Sequence, residues 1–546
     1  MRHYKLIAMT QFKQEIQENM IITQGSLPAA EDPSVDIRIR NQDVQHLEIP
    51  DIFDELEALM KAQWPRCSVA DILVKLGSPM VSIGVLEAGR ITTRVLGSPA
   101  AAETIRSNQR SGKPFDTDTI FQACSISKAI TSLAVFKFCQ EGKLDLDTPI
   151  YQYLTPEQLS WICTPKNRAL ASQITLRQLL SHTSGLSVHG FAGYCTDELP
   201  SLQNMLTGLP PANNPPVTLT LMPGQRYCYS GGGYNVIQLI LERLQRKSHF
   251  KIMEETVLQP LGMDRSTYKI LNVDGENYAP AFLTGSLKAD PDHHMQPESA
   301  AAGLWTTPGD LLKAVRGIQK SLNSNGLLSR ECAEEMLMEV DDNGVALGWW
   351  GKKEDVFFYH PGSNEPGYRA FCAGYADIQR SSGQEASTTD KGKSKEKETI
   401  YSERRNFPKD CGISVMINSA LGDRAMGKIL SAIAYLKGWP DVSKMYKEVP
   451  FMDRHKIIDD RALQWCGNWG PGNWSLVDRN GLFVKFGASI EMPLVPAAIP
   501  PVVHKEGRSI DLVVDGLEMM LRLGWKNGLM IIELQQDGQS HILERQ

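Results

Sequence analysis

A serine stands three residues ahead of a lysine in Ser125-Ile126-Ser127-Lys128. The run that follows places Ile126, Ile130, Leu133, Val135 and Phe138 at spacings that suit a buried helix beginning at or just before Ser125. Residues three apart on a helix stack on one face, so the Lys128 amine comes within reach of the Ser125 hydroxyl. A serine alcohol is a poor nucleophile until a nearby base takes its proton. A lysine serves as that base when burial lowers its pKa, and a helix N-terminus favours the developing anion. The spacing alone decides little, because S-x-x-K recurs at Ser248/Lys251, Ser266/Lys269 and Ser394/Lys397, to which we assign no chemistry. The bland alternative is a helix-start serine beside a solvated lysine.

Two further segments add chemistry. Pro223 to Tyr234 sets Tyr229 in a loop with Gly231, Gly232 and Gly233, ahead of a helical run from Asn235 to Leu244. Consecutive glycines let a backbone pass close to a ligand or a neighbouring chain, and a phenol beside an ammonium can act as a general base. The alternative is an aromatic packed in a turn. Tyr359-His360-Pro361-Gly362-Ser363-Asn364 directly follows a strand-like run, where a strand edge can offer a backbone N–H to an oxyanion and His360 a polar contact. Taken alone, a histidine before Pro-Gly is a turn residue. His182 and His189 read as turn and surface residues.

Other signatures are missing: no G-x-S-x-G elbow, no H-E-x-x-H, no Walker A sequence and no G-x-G-x-x-G opening a helix after a strand. With 57 basic and 63 acidic residues the net charge is −6, which gives no footprint for nucleic acid and no pull toward anionic lipid. No stretch reaches about 18 consecutive apolar residues, and the N-terminus is too briefly apolar for a secretory signal. Ten cysteines lack C-x-x-C pairs and zinc spacing, which reads as reduced, mostly buried thiols in a cytoplasmic protein without a metal.

The elements that must position these residues occupy a chain of 546 residues, too long for one core. Hydrophobic residues at 42%, with 44 glycines added, reach about half the chain, the usual globular figure. Residues 1–50 read as a polar extension. A helix is expected over Asp51–Met60, and a hairpin over Met80–Leu86 and Ile91–Leu96 around Glu87-Ala88-Gly89-Arg90. Mostly helical sequence follows to about Leu347, then strands at Val356–Tyr359, Tyr368–Ala373 and Gly412–Ile417. Residues 379–409 are crowded with polar side chains and read as a disordered insertion. A helix over Asp423–Leu436 closes a catalytic region spanning 51–440. Residues 450–546, with strands at Gly481–Phe486, Ile510–Val514, Leu517–Leu523 and Leu529–Leu534, read as a separate β-rich domain. Trp465, Trp469, Trp474 and Trp525 are expected to fill its core.

The order of the three chemical segments resembles the serine β-lactamase and penicillin-binding-protein superfamily, especially its class C and carboxylesterase-like branch. That family carries S-x-x-K on a central helix, Y-x-N on a loop and K-T-G or H-x-G on a strand. Here Ser125-Ile126-Ser127-Lys128, Tyr229-Ser230-Gly231 and His360-Pro361-Gly362 are similar to them. So are the landmarks Leu176–Leu186, Pro260–Thr267 and Ala302–Leu311. The resemblance implies an α+β fold: an antiparallel sheet with flanking helices, built from both ends of the catalytic region, and an inserted helical subdomain. The C-terminal domain looks like the lipocalin-like appendage of some relatives.

The resemblance also implies an acyl-enzyme mechanism without a cofactor. Ser125 would attack a carbonyl, and Lys128 and Tyr229 would share the proton work, with Tyr229 the family's usual base. The N–H groups of Ser125 and Ser363 would hold the oxyanion, with His360 and Gly362 beside the substrate. Two departures matter. Gly231 stands in place of the asparagine of Y-x-N, and His360 in place of the lysine that recognises a β-lactam carboxylate. A histidine with a pKa near ~6.5 carries little charge at neutral pH. The expected activity is therefore a serine hydrolase or acyltransferase on a small-molecule ester, thioester or amide, with an alcohol or amine as possible acceptor. Secondary metabolism is a compatible setting, since some fungal relatives transfer acyl chains there. The alternatives are a D-amino-acid-type peptidase or β-lactam hydrolase, and a non-catalytic scaffold on the same fold.

Overall fold

A computed structural model describes residues 51–546, except 65, 98–114, 272–275, 324–325, 341–343, 352–356, 377–409, 440–459, 471–473, 479–481, 487–489, 497–509, 515–518, 527–528, 537–538 and 546. The expected N-terminal extension and polar insertion lie outside the described residues.

Local sequence explains the first elements. Asp51 caps α1 (Ile52–Gln63) by accepting the Phe53 N–H, and Ser68 with Asp71 forms a reciprocal capping box at α2 (Val69–Lys75). The hairpin follows as β1 (Met80–Glu87) and β2 (Arg90–Gly97). Its two turn residues, Ala88 and Gly89, have φ of 48° and 77°, the left-handed pair a two-residue hairpin requires.

The hairpin joins β5 (Phe357–Asn364), β6 (Tyr368–Tyr375) and β7 (Gly412–Ile417) in one sheet of order β2-β1-β7-β6-β5. Every neighbouring pair is antiparallel. Both ends of the catalytic region thus build the sheet, as expected. Alternation along the strands sorts the two faces. Val81, Ile83, Phe371, Val415 and Ile417 share a core with Phe53, Leu56 and Met60 of α1 and with Ile429 and Ile433 of α8 (Asp423–Lys437). On the other face, Ala370, Cys372 and Met416 meet Leu311, Leu312 and Val315 of α7 (Pro308–Leu322). Each of the Val, Leu, Ile, Phe and Met side chains among these contributes about 1.5–3 kcal/mol by leaving water. The helix lies close because the sheet is bare beneath it: a β-carbon on Gly84 would stand 2.8 Å from Leu312 Cδ1, and one on Gly374 2.4 Å from Val315 Cγ1.

The same core holds α3 (Ile126–Gln140), α4 (Leu176–Leu180), α5 (Gly231–Gln245) and α6 (Ser299–Ala302). A two-residue pairing of β3 (Phe121–Gln122) with β4 (Trp305–Thr306) ties the head of α3 to the turn after α6. No helix among the described residues is long and apolar enough to cross a membrane. All ten cysteines are free, but only Cys124, Cys372 and Cys411 are buried and Cys195 is exposed. The expectation of mostly buried thiols does not hold.

The C-terminal strands run β8 (Gly467–Trp469), β9 (Trp474–Asp478), β10 (Leu482–Phe486), β11 (Ile490–Pro496), β12 (Ile510–Val514), β13 (Met519–Lys526), β14 (Leu529–Gln536) and β15 (Gln539–Glu544). They form one sheet in sequential order. An antiparallel bridge between Trp469 and Arg545 brings the first strand back to the last, the closure of an up-and-down barrel. The sequence shows four of these eight strands. Trp465 and Trp469 are in the barrel core, but Trp525 is 43% exposed and touches Trp465 only edge-on, so it fills no core.

Candidate active site

The head of α3 is held under strain. Cys124, just ahead of Ser125, has φ 55°, a left-handed conformation that costs a non-glycine residue about 1–3 kcal/mol. Its surroundings enforce it: Ala123 N donates to Leu304 O at 2.8 Å, Ser127 Oγ donates to Cys124 O at 2.6 Å, and Leu304 N donates to Ser127 Oγ at 3.0 Å. Ser125 itself occupies the N-cap position, and its hydroxyl makes no capping bond. That leaves the oxygen for the lysine one turn on.

Lys128 is 2% exposed. Its ammonium donates to Ser125 Oγ at 3.1 Å and to Ala301 O, in α6, at 2.9 Å. The second bond fixes the long side chain so that the first is kept. Among the described residues no carboxylate pairs with it. The Ala300-Ala301-Ala302 run ahead of Gly303 carries this carbonyl, one residue ahead of the landmark Ala302–Leu311, and the sequence analysis assigned Ala301 no part.

Two tyrosine rings flank the ammonium. Tyr229 lies with its ring centroid 5.1 Å from Lys128 Nζ, and Tyr234 at 5.7 Å. They differ in environment. Tyr234 is fully buried, donates to Leu180 O at 3.2 Å, and has its phenol pKa pushed well above the usual value by burial. It is a packed anchor. Tyr229 is half-buried. The lysine donates to Ser125 and Ala301 while facing the Tyr229 ring, so the contact with this tyrosine is made to its π face.

The reading of His182 as a plain turn residue is corrected. It sits in a turn after α4 but is 3% exposed, and its ring stacks on Tyr229 at 4.2 Å between centroids with a 31° tilt. Burial drives its pKa well below the usual value, with the nearby Lys128, His360 and His189 adding to the effect. His189 is exposed, as expected, yet its ring also lies against the tyrosine, with centroids 4.7 Å apart and a 41° tilt. The signal that could have found both is their nearness in sequence to a landmark whose helix packs on α5.

The third segment lies within β5 rather than after it. His360 is 2% exposed, its Nδ1 is 2.6 Å from Pro361 O, and its pKa is pushed down to about 3, first by burial and then by the Lys128 ammonium. It is neutral in neutral solution. Gly362 packs directly on the head of α3: a β-carbon there would stand 2.6 Å from Ala123 O, 2.9 Å from Cys124 Cβ and 3.1 Å from Ser125 N. Ser363 follows, paired in register with Arg369 of β6. Next, the buried Asn364 donates to Gln122 Oε1 at 2.7 Å and to Ala302 O at 3.2 Å, lashing β5 to β3 and α6. Sequence reasoning assigned Asn364 no part.

At Gly231 the reason for the missing asparagine is steric. The residue opens α5, capped by Ser230, whose Oγ accepts from Gly233 N at 2.9 Å. A β-carbon on Gly231 would stand 2.8 Å from Phe191 Cε2 and 3.0 Å from His189 O. The space an asparagine would need is filled by Phe191.

Comparisons with known proteins bear on the family and the fold. A family model described as Beta-lactamase matches residues 56–434. Protein Rv1367c of Mycobacterium tuberculosis is 31% identical over 225 residues, 38% of this chain and 55% of that protein. The chain spans about half the length of the curated relatives it matches. Among solved structures, the octameric penicillin-binding protein homologue from Pyrococcus abyssi superposes with a TM-score of 0.51 at 19% identity, over 90% of this chain and 100% of that one. The D-amino acid amidase from Ochrobactrum anthropi gives 0.50 at 16% identity, over 72% and 100%. These two share the fold. With its family match spanning well over half its length, the chain belongs to the Beta-lactamase family.

Proposed function

We propose that the protein is a serine hydrolase or acyltransferase that forms an acyl-enzyme on Ser125 from a small-molecule ester, thioester or amide. The observation that carries this reading is the 3.1 Å bond from the buried Lys128 ammonium to the Ser125 hydroxyl, at the head of a buried helix. Ser125 Oγ attacks the acyl carbon while its single proton passes to the phenolic oxygen of Tyr229, the base, and the Lys128 ammonium, already a donor to Ser125 Oγ, offsets the charge that moves. The oxyanion rests against the N–H groups of Ser125 and Ser363, each donor contributing about 3–4 kcal/mol in comparable hydrolases. Collapse expels the alcohol, thiol or amine, which takes that proton back from Tyr229. Water, or an acceptor alcohol or amine, then attacks the acyl carbon and frees Ser125.

The neutral His360 supports uncharged acyl groups over carboxylate-bearing ones. That weighs against a β-lactam hydrolase and leaves a D-amino-acid-type peptidase behind esters and amides. The test is labelling with a serine-directed fluorophosphonate, with p-nitrophenyl ester turnover as a second readout. Wild type is expected to label and Ser125→Ala to be silent. Labelling that survives in Ser125→Ala moves the nucleophile elsewhere, and no labelling of either favours a non-catalytic scaffold. Adding an acceptor alcohol and following product partition separates transfer from hydrolysis.

A further inference from the structure

We infer that His182 is the positioning residue for the Tyr229 loop, gripping three consecutive residues of it. The inference rests on the reading of Tyr229 as part of the proton machinery. Cys228 N donates to His182 O at 2.8 Å, the Tyr229 ring stacks on the His182 ring at 4.2 Å, and Ser230 N donates to His182 Nδ1 at 3.1 Å. Main chain and side chain of one residue therefore hold the loop on both sides of the tyrosine.

The backbone of His182 is shaped for this grip. Its φ is 57°, in the left-handed region that few non-glycine residues visit, and histidine is among those that do so more often. The base beneath it is firm: α4 is packed in the core, and Leu180 O receives the Tyr234 hydroxyl of α5. A backbone N–H can only donate, so Nδ1 must present its lone pair and the proton sits on Nε2. That tautomer is available only while the ring is neutral, and its burial keeps it so. The Lys128–Ser125 bond lies within α3 and does not depend on this loop. His182 thus governs where the phenol stands, and the nucleophile's hydrogen bond is set independently.

The test compares His182→Asn with His182→Gln in the full-length chain. Asparagine tolerates the left-handed backbone and carries an acceptor near the position of Nδ1, whereas glutamine carries it about one bond farther out. Fluorophosphonate labelling and ester turnover are expected near wild type in Asn and down by about 10²-fold in Gln, the size of a general-base contribution. The acidic limb of the pH–rate profile is expected to move only in Gln. In a Tyr229→Phe background, Gln is expected to cost nothing further, because the two residues act as one unit. Equal losses in Asn and Gln, a wild-type rate in Gln, or additive losses in the Tyr229→Phe background overturn the inference. If Gln gives no folded protein, Asn carries the test alone, with loss of its rate the overturning result. Failure of the functional reading looks different: Tyr229→Phe, with His182 intact, labels at the wild-type rate.

Discussion

Gly362 of β5 and Ser125 at the head of α3 meet so closely that a β-carbon on the glycine would stand 3.1 Å from the serine amide nitrogen. This contact sets the spacing between the sheet edge and the nucleophile. Gly362→Ala must push the strand away, because Ala123 O at 2.6 Å and Cys124 Cβ at 2.9 Å belong to a rigid, strained turn. We expect fluorophosphonate labelling to fall by at least about 10²-fold, the scale of one lost oxyanion donor, with a destabilisation of about 1–3 kcal/mol from overpacking. Labelling at the wild-type rate shows that the strand edge takes no part in acylation.

Restoring the family's asparagine at Gly231 is not expected to restore β-lactam turnover. Phe191 Cε2 at 2.8 Å and His189 O at 3.0 Å crowd the new side chain, so Gly231→Asn should lower the melting temperature and slow ester turnover. Adding Phe191→Ala should recover part of the stability, a coupling expected of residues in direct contact. Equal melting temperatures for wild type and Gly231→Asn refute the steric account.

How much of this was legible in the sequence depends on the range of the contacts. The Ser125–Lys128 pair is a one-turn contact on a single helix, so its spacing predicted it. The β-rich runs Met80–Leu86 and Gly412–Ile417 likewise announced strands, which the structure shows as β1 and β7. Ala301 O on Lys128 and Asn364 on Gln122 join residues 173 and 242 positions apart. No local pattern encodes such pairs. His182 was misread because a buried and an exposed histidine look alike in one sequence, and only its packing on Tyr229 tells them apart. Trp525 failed in the opposite sense: aromatic character implied burial, but it pairs with Met530 one step from the tip of the β13–β14 hairpin and is 43% exposed.

His360 sets an acid limit. Its folded pKa of about 3 lies below the unfolded value near ~6.5, so the stabilisation it contributes is complete above the unfolded value and is lost as pH falls toward about 3. His249, buried and also pushed down to about 3, acts in the same direction. Thermal melts between about pH 6.5 and 3 should therefore fall less steeply for His360→Gln than for wild type. The neutral ring also predicts slow acylation by carboxylate-bearing β-lactams. A fluorescent penicillin that labels Ser125 as fast as a fluorophosphonate contradicts that.

Glu298 sets the limit on the other side. It is fully buried one residue before α6, and among the described residues neither carboxyl oxygen has a hydrogen-bond partner. Burial pushes its pKa up to about 8. A carboxyl raised in the folded state stabilises the protein fully below its unfolded value of about 4.5, and that contribution drains away as pH rises toward about 8. The ceiling is on the order of 5 kcal/mol. The main chain of this residue acts separately, since Glu298 O accepts from Ala301 N and Ala302 N and so shapes the turn whose carbonyl holds Lys128. Glu298→Gln should leave that turn and the labelling rate at pH 6 unchanged, because only the side chain is altered. It should match the wild-type melting temperature near pH 4.5 and exceed it by several degrees at pH 8. A pH–stability slope identical to wild type across that interval places Glu298 in a solvated, charged state and overturns the assignment of a neutral buried acid ahead of α6.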